Sequence, residues 1–150
     1  MPNRNVHVPV GGISGGAYAA YHAWGLSVPQ LVAEALGGVA GGIGGGVLPD
    51  AIDTPTSPNH RAAAHSMSIT GGIGYFLNEQ LPEWQKGLRD QGLHYAGLRA
   101  ASPSLLPQIG YGILEFLCYF LSGALAGLLA GYASHLALDS LTPSSLPILC

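Results

Sequence analysis

In the apolar segment "PQLVAEALGGVAGGIGGGVLP", residues 29–49, glycines recur at 37, 41 and 45 and again at 38, 42 and 46. On a helix, a four-residue spacing places each set on one face. The result is a ridge without side chains, along which another backbone can approach closely, and in lipid such close approach is a main source of helix association. In water each of these glycines would cost roughly 1 kcal/mol relative to alanine. A third set, Gly123, Gly127 and Gly131, lies in a second apolar run, residues 109–138. The pattern leaves two outcomes for residues 29–49, a helix packed backbone to backbone or a flexible glycine-rich loop, and Pro29 at a helix start favours the first.

Composition points the same way. Apolar residues make up 48% of the chain and charged residues 9%, against about 25% charged in an ordinary soluble domain, so the chain is expected to be membrane-embedded. Its 150 residues fit one domain, 1–150, with no break in composition. Eight acids and five bases, without a basic cluster, argue against a nucleic-acid surface. Cys118 and Cys150 form neither a disulfide framework nor a ligand pair at metal spacing. One Arg precedes the first apolar stretch, but no cleavage site follows it, and Pro9 and repeated glycines weaken a signal peptide, so the chain is read as unprocessed.

The spacing predicts a helix over 8–28 and a second from Pro29 to Pro49. Residues 50–66 read as a polar loop, with Pro55 and Pro58 barring a continuous helix and a new one able to start at Arg61. The piece "AAAHSMSITGGIGYFL" is apolar but short. Residues 78–108 are the most polar surface, with an amphipathic helix in "LPEWQKGLRDQGL" and then a Ser/Pro connector. The run 109–138 is long enough to span a bilayer. No strand alternation is present. The expected fold is all-α: a compact, membrane-embedded bundle of Gly-rich apolar helices with a polar metal-binding loop.

Within so apolar a chain, polar residues cluster. Asp50 and Asp53 are three apart, His60 and His65 five apart, and His135 and Asp139 four apart on a predicted helix, where both project from one face. With His7 these take four of the six histidines and three of the eight acids. Imidazoles and carboxylates converging on one point are the donors of zinc, and carboxylates also serve manganese or magnesium. Each element also has a plainer account: Asp50 as a cap of a following turn, His135 and Asp139 as a helix-surface hydrogen bond, His7 as a polar residue near the terminus. His22 and His94 lack acidic neighbours at useful spacing and are assigned structural or interfacial roles. Glu34 and Glu115 lie inside apolar helices, so each must be neutral, paired or turned to a polar cavity, and either could add a ligand.

Four motifs, "VHVPVGG", "LPDAID", "HRAAAHS" and "GYASHLALDSLTP", follow one another in an order that resembles the membrane-bound metal-dependent hydrolases typified by the bacterial YdjM-like proteins. The resemblance covers most of the chain, and the last three motifs together are specific. It implies that His7, Asp50, Asp53, His60, His65, His135 and Asp139 are the metal-ligand positions. That family is in turn similar to the all-helical zinc phospholipase C and P1-type nuclease proteins, in which a His, three residues, Asp element also binds metal. The chain departs from them after Asp139, where no His or Glu follows, so one or two ions are expected rather than three. Ala62 stands where the family has Gly.

Zinc at such a site would lower the pKa of a bound water and direct it at an ester or phosphoester, with Arg61 steadying the developing negative charge. Phosphoesters, membrane lipid foremost, are the expected substrate, and a bacterial inner membrane the expected location. For residues 50–65 to meet residues 135–139, an even number of crossings must separate them. Residues 66–80 must therefore run opposite to 109–133, or the bundle dips into one leaflet with 78–108 at the interface. Two other functions compete: a non-enzymatic membrane protein with a structural ion, oligomerising through its glycine ridges, and a pore-forming protein.

Overall fold

The computed structural model describes residues 4–52 and 67–141. They form four helices: α1 Arg4–His22, α2 Val28–Ile52, α3 Met67–Ala101 and α4 Leu105–Ser140, with no strand among the described residues. The all-helical expectation is met, while several boundaries differ. The helix expected to reach residue 28 ends at His22, and Gly25, at φ +96°, turns the chain, a conformation that side chains other than glycine rarely adopt. α2 then starts on half of a capping box: the backbone N–H of Ser27 donates to Oε1 of Gln30 at 3.3 Å.

Prolines interrupt less than their sequence positions suggest. Pro49 lies inside α2 and Pro82 inside α3. Each removes one backbone bond, yet the packed helix continues, so Asp50 belongs to α2 rather than to a loop. From Met67 onward the apolar piece and the amphipathic piece that follows it form one helix of 35 residues. α4 begins four residues earlier than its apolar run, with Pro107 in its first turn, where an N–H would have no helical partner in any case.

The glycine spacing determines how the helices pack. A Cβ on Gly37, Gly41 or Gly45 would strike the backbone of Phe120, Ala124 or Leu128, so α2 and α4 run parallel. Gly42 meets Gly11 and Gly15, and Gly38 meets Gly15 and Ala19, so α1 is antiparallel to α2. Gly123, Gly127 and Gly131 close on the carbonyls of Glu34, Gly38 and Gly42. All three ridges are thus filled by the chain's own helices, and an oligomer formed through them would have to displace one. α3 packs antiparallel on α4, with Gln85 Nε2 donating to the Ser122 carbonyl at 3.2 Å and Gly92 against the ring of Tyr119. α4 therefore touches all three other helices, with α1 and α2 packed on it and on each other and α3 packed closely on α4 alone.

The interior is small and polar. Buried apolar side chains are chiefly alanines with Leu81, Tyr119 and Leu136, while His7, Glu34, Gln85, Glu115, Ser122, His135 and Asp139 are buried as well. Large apolar side chains instead cover the outside. α2 and α4, 25 and 36 residues long, are apolar and long enough to cross a membrane.

Two charge pairs tie the helices together. Arg89 of α3 grips Glu34 of α2 with two hydrogen bonds of 2.6 Å and donates a third, of 3.0 Å, to the His22 carbonyl. The Glu34 hydrogen bonds raise the guanidinium pKa still further, so its charge is permanent. Arg99 Nη1 lies 3.1 Å from Glu115 Oε2. Both acids that required a partner thus have one in an arginine of α3.

Candidate metal centre

Three helices meet around Gly42, which touches Gly11 of α1 and Gly131 of α4. His7 is one turn before Gly11, Asp50 one turn after Gly46, and His135 one turn after Gly131. The close approach created by the glycines therefore delivers polar side chains from three helices to a single end of the bundle. Parallel α2 and α4 bring their C-terminal turns there together with the start of α1, so Asp50 lies beside residues 135–139, while residues 53–65 of the expected meeting lie outside the described residues.

At this end His7, His135 and Asp139 are buried, and their candidate ligand atoms lie within 4.8 Å of one another. His7 Nε2 is 3.6 Å from Asp139 Oδ1, His135 Nε2 is 3.6 Å from Asp139 Oδ2, and His135 Nε2 is also 3.6 Å from Asp50 Oδ1. Two atoms bound to one tetrahedral ion at about 2.1 Å stand about 3.4 Å apart, so the donors are spaced as ligands of a common cation would be. The two imidazoles stack, with centroids 3.9 Å apart and planes at 21°.

The tautomer of His135 follows from its other nitrogen. Nδ1 lies 2.7 Å from the Gly46 carbonyl, and a carbonyl only accepts, so Nδ1 carries the hydrogen. Nε2 is left as the atom that faces both carboxylates. A backbone carbonyl that fixes the non-ligating nitrogen is the usual support of a metal-binding histidine. Two imidazole nitrogens and a carboxylate, with a second carboxylate beside them, suit zinc, and the buried, pre-oriented donor set fits such an ion.

Of the candidates from sequence, the fold brings together His7, Asp50, His135 and Asp139. Asp53, His60, His65 and Arg61 lie outside the described residues. His22 packs beside Tyr18 and Tyr21, and His94 beside Tyr95, both away from the centre. Sequence reasoning missed the Gly46 carbonyl, which carries no side-chain signature; its nearest signal was the Gly38, Gly42, Gly46 register. The chain matches no protein-family model, no curated protein and no solved structure.

Proposed function

We propose that the protein is a membrane-associated metal-dependent hydrolase. The observation that carries this reading is the buried His7, His135 and Asp139 set, with His135 fixed by the Gly46 carbonyl. Three protein donors leave a coordination position open, the pattern of hydrolytic rather than closed structural sites. A divalent cation, zinc best matching the donors, would supply Lewis acidity and acidify a water molecule when bound.

The chain's own residues have separable tasks. His7 and Asp139 hold one side of the centre, and His135 presents Nε2 from the other. Asp50, with its side chain 40% exposed, stands at the rim, where it can accept a proton from an attacking water. Arg61 is assigned to charge stabilisation from the sequence motif alone. Phosphoesters, including phospholipids, are the proposed substrates, supported by the resemblance of the four motifs and by the lipid such an exterior would meet.

A structural ion held by the same residues is the competing reading, favoured by the near-complete burial of His7, His135 and Asp139. Purified protein assayed against phosphodiester and phospholipid substrates, with metal content measured on the same samples, separates the two. Metal-dependent turnover lost in Asp50→Asn protein that keeps its metal supports the hydrolase. Full metal occupancy with no turnover of any substrate supports the structural ion.

A further inference from the structure

The exposed charges gather on one helix. Glu79, Glu83, Lys86, Asp90 and Arg99 are exposed, all on α3, while Asp50 at the end of α2 is partly exposed. The first four follow one another at intervals of four, three and four, a single stripe on the outer face. Lys86 and Asp90 form an ion pair along it at 3.8 Å.

The stripe is not at an end of the bundle. Gln85 meets Ser122 and Leu81 packs with Ala126, so these charges stand level with the middle of α4. In a bundle that crossed the bilayer along its helix axes, they would sit at mid-membrane, where each charge costs about 2.5–3.5 kcal/mol or more.

Large apolar side chains are exposed at both ends of the bundle, although Asp50 also reaches the surface at the end that holds His7, His135 and Asp139. Trp24 is 87% exposed and Leu106 80% at one end, and Leu141 is 83% exposed at the other. α2, opposite α3, shows Val32, Leu36, Val39 and Ile43 outward. α4 shows Ile113, Leu117 and Leu121, and α1 shows Val6 and Ile13. Among the described residues exposed polarity thus changes mainly across the bundle, from α3 to α2. A spanning protein has the reverse gradient, with polar ends and an apolar waist.

From this we infer that the bundle lies in the plane of one leaflet, with α1 and α2 in the hydrocarbon, α4 between them and α3, and the charged face of α3 in water. The inference rests on the membrane association proposed above. With interaxial distances of roughly 8–10 Å, α2 lies on the order of 10–15 Å below α3, which a hydrocarbon leaflet of about 15 Å accommodates. The occupant of the apolar faces is lipid rather than a partner protein, because those faces wrap three helices.

Single cysteines test this in full-length protein carrying Cys118→Ser and Cys150→Ser. Val28→Cys and Leu141→Cys mark the two ends of the bundle, Lys86→Cys the charged stripe and Leu36→Cys the outer face of α2. An impermeant thiol reagent is applied to spheroplasts and to inverted membrane vesicles of the expression host. In-plane seating predicts that Lys86→Cys reacts from one side only, that neither end reacts from the opposite side, and that Leu36→Cys stays unmodified until detergent is added. Reaction of the two ends from opposite sides, or protection of Lys86→Cys from both, overturns the inference while leaving membrane association intact. Failure of the protein to float with the vesicles, with all four cysteines reacting freely, overturns the membrane reading itself.

Discussion

His135 of α4 donates its Nδ1 hydrogen to the carbonyl of Gly46 on α2, across 2.7 Å. This bond makes the orientation of a proposed metal ligand depend on the packing of two helices. The first prediction is therefore spectroscopic. Nitrogen-15 shifts of imidazole-labelled protein should place the hydrogen of neutral His135 on Nδ1, and added zinc should shift Nε2. An Nε2-protonated tautomer that zinc leaves unchanged contradicts the geometry.

Glycine packing gives a prediction with an internal control. A Cβ on Gly42 would come within 2.9 Å of Gly15 Cα and of the Gly11 carbonyl carbon. Gly42→Ala should therefore destabilise the bundle by about 1–3 kcal/mol and reduce metal occupancy, because α1 carries His7. Gly87 and Gly97 have open space around them, so alanine there should be neutral or stabilise by up to about 1 kcal/mol. Thermal unfolding in detergent separates the two classes, and equal effects at Gly42 and Gly87 would contradict backbone-to-backbone packing.

The Glu34 and Arg89 pair should behave as a buried unit. Arg89→Leu alone leaves a fully buried carboxylate without its guanidinium and is expected to cost on the order of 3 kcal/mol. Removing both, as Glu34→Leu with Arg89→Leu, should recover most of that loss. A double-mutant cycle in detergent measures the coupling, and additive effects would show that the pair contributes nothing specific.

Much of this was legible in the sequence, for physical reasons. The glycine registers 37, 41, 45 and 38, 42, 46 follow the helical repeat, so both the helix and its two packed faces could be read before any coordinates. His7, Asp50, His135 and Asp139 stood out because polar residues are scarce in an apolar chain, and the four-residue step from His135 to Asp139 predicted their shared face. Other features depend on distances that sequence does not encode. Glu34 needed a partner, but Arg89 lies 55 positions away on a helix whose continuity through Pro82 was not predictable from proline's local preference. The Gly46 carbonyl is a backbone group, identical in type at every position, and only the fold selects it. The concentration of exposed charge on α3 likewise required knowing which faces the glycines had already buried.

The central claim is that His7, His135 and Asp139 hold one cation. It is tested most directly by elemental analysis of purified protein beside His7→Ala, His135→Ala and Asp139→Ala, with helicity measured on each sample. The account predicts about one or two equivalents of a divalent transition metal in the parent protein. Each variant should lose metal while remaining helical. Metal content in the three variants equal to that of the parent, or no metal in a folded parent protein even after incubation with zinc, would contradict it.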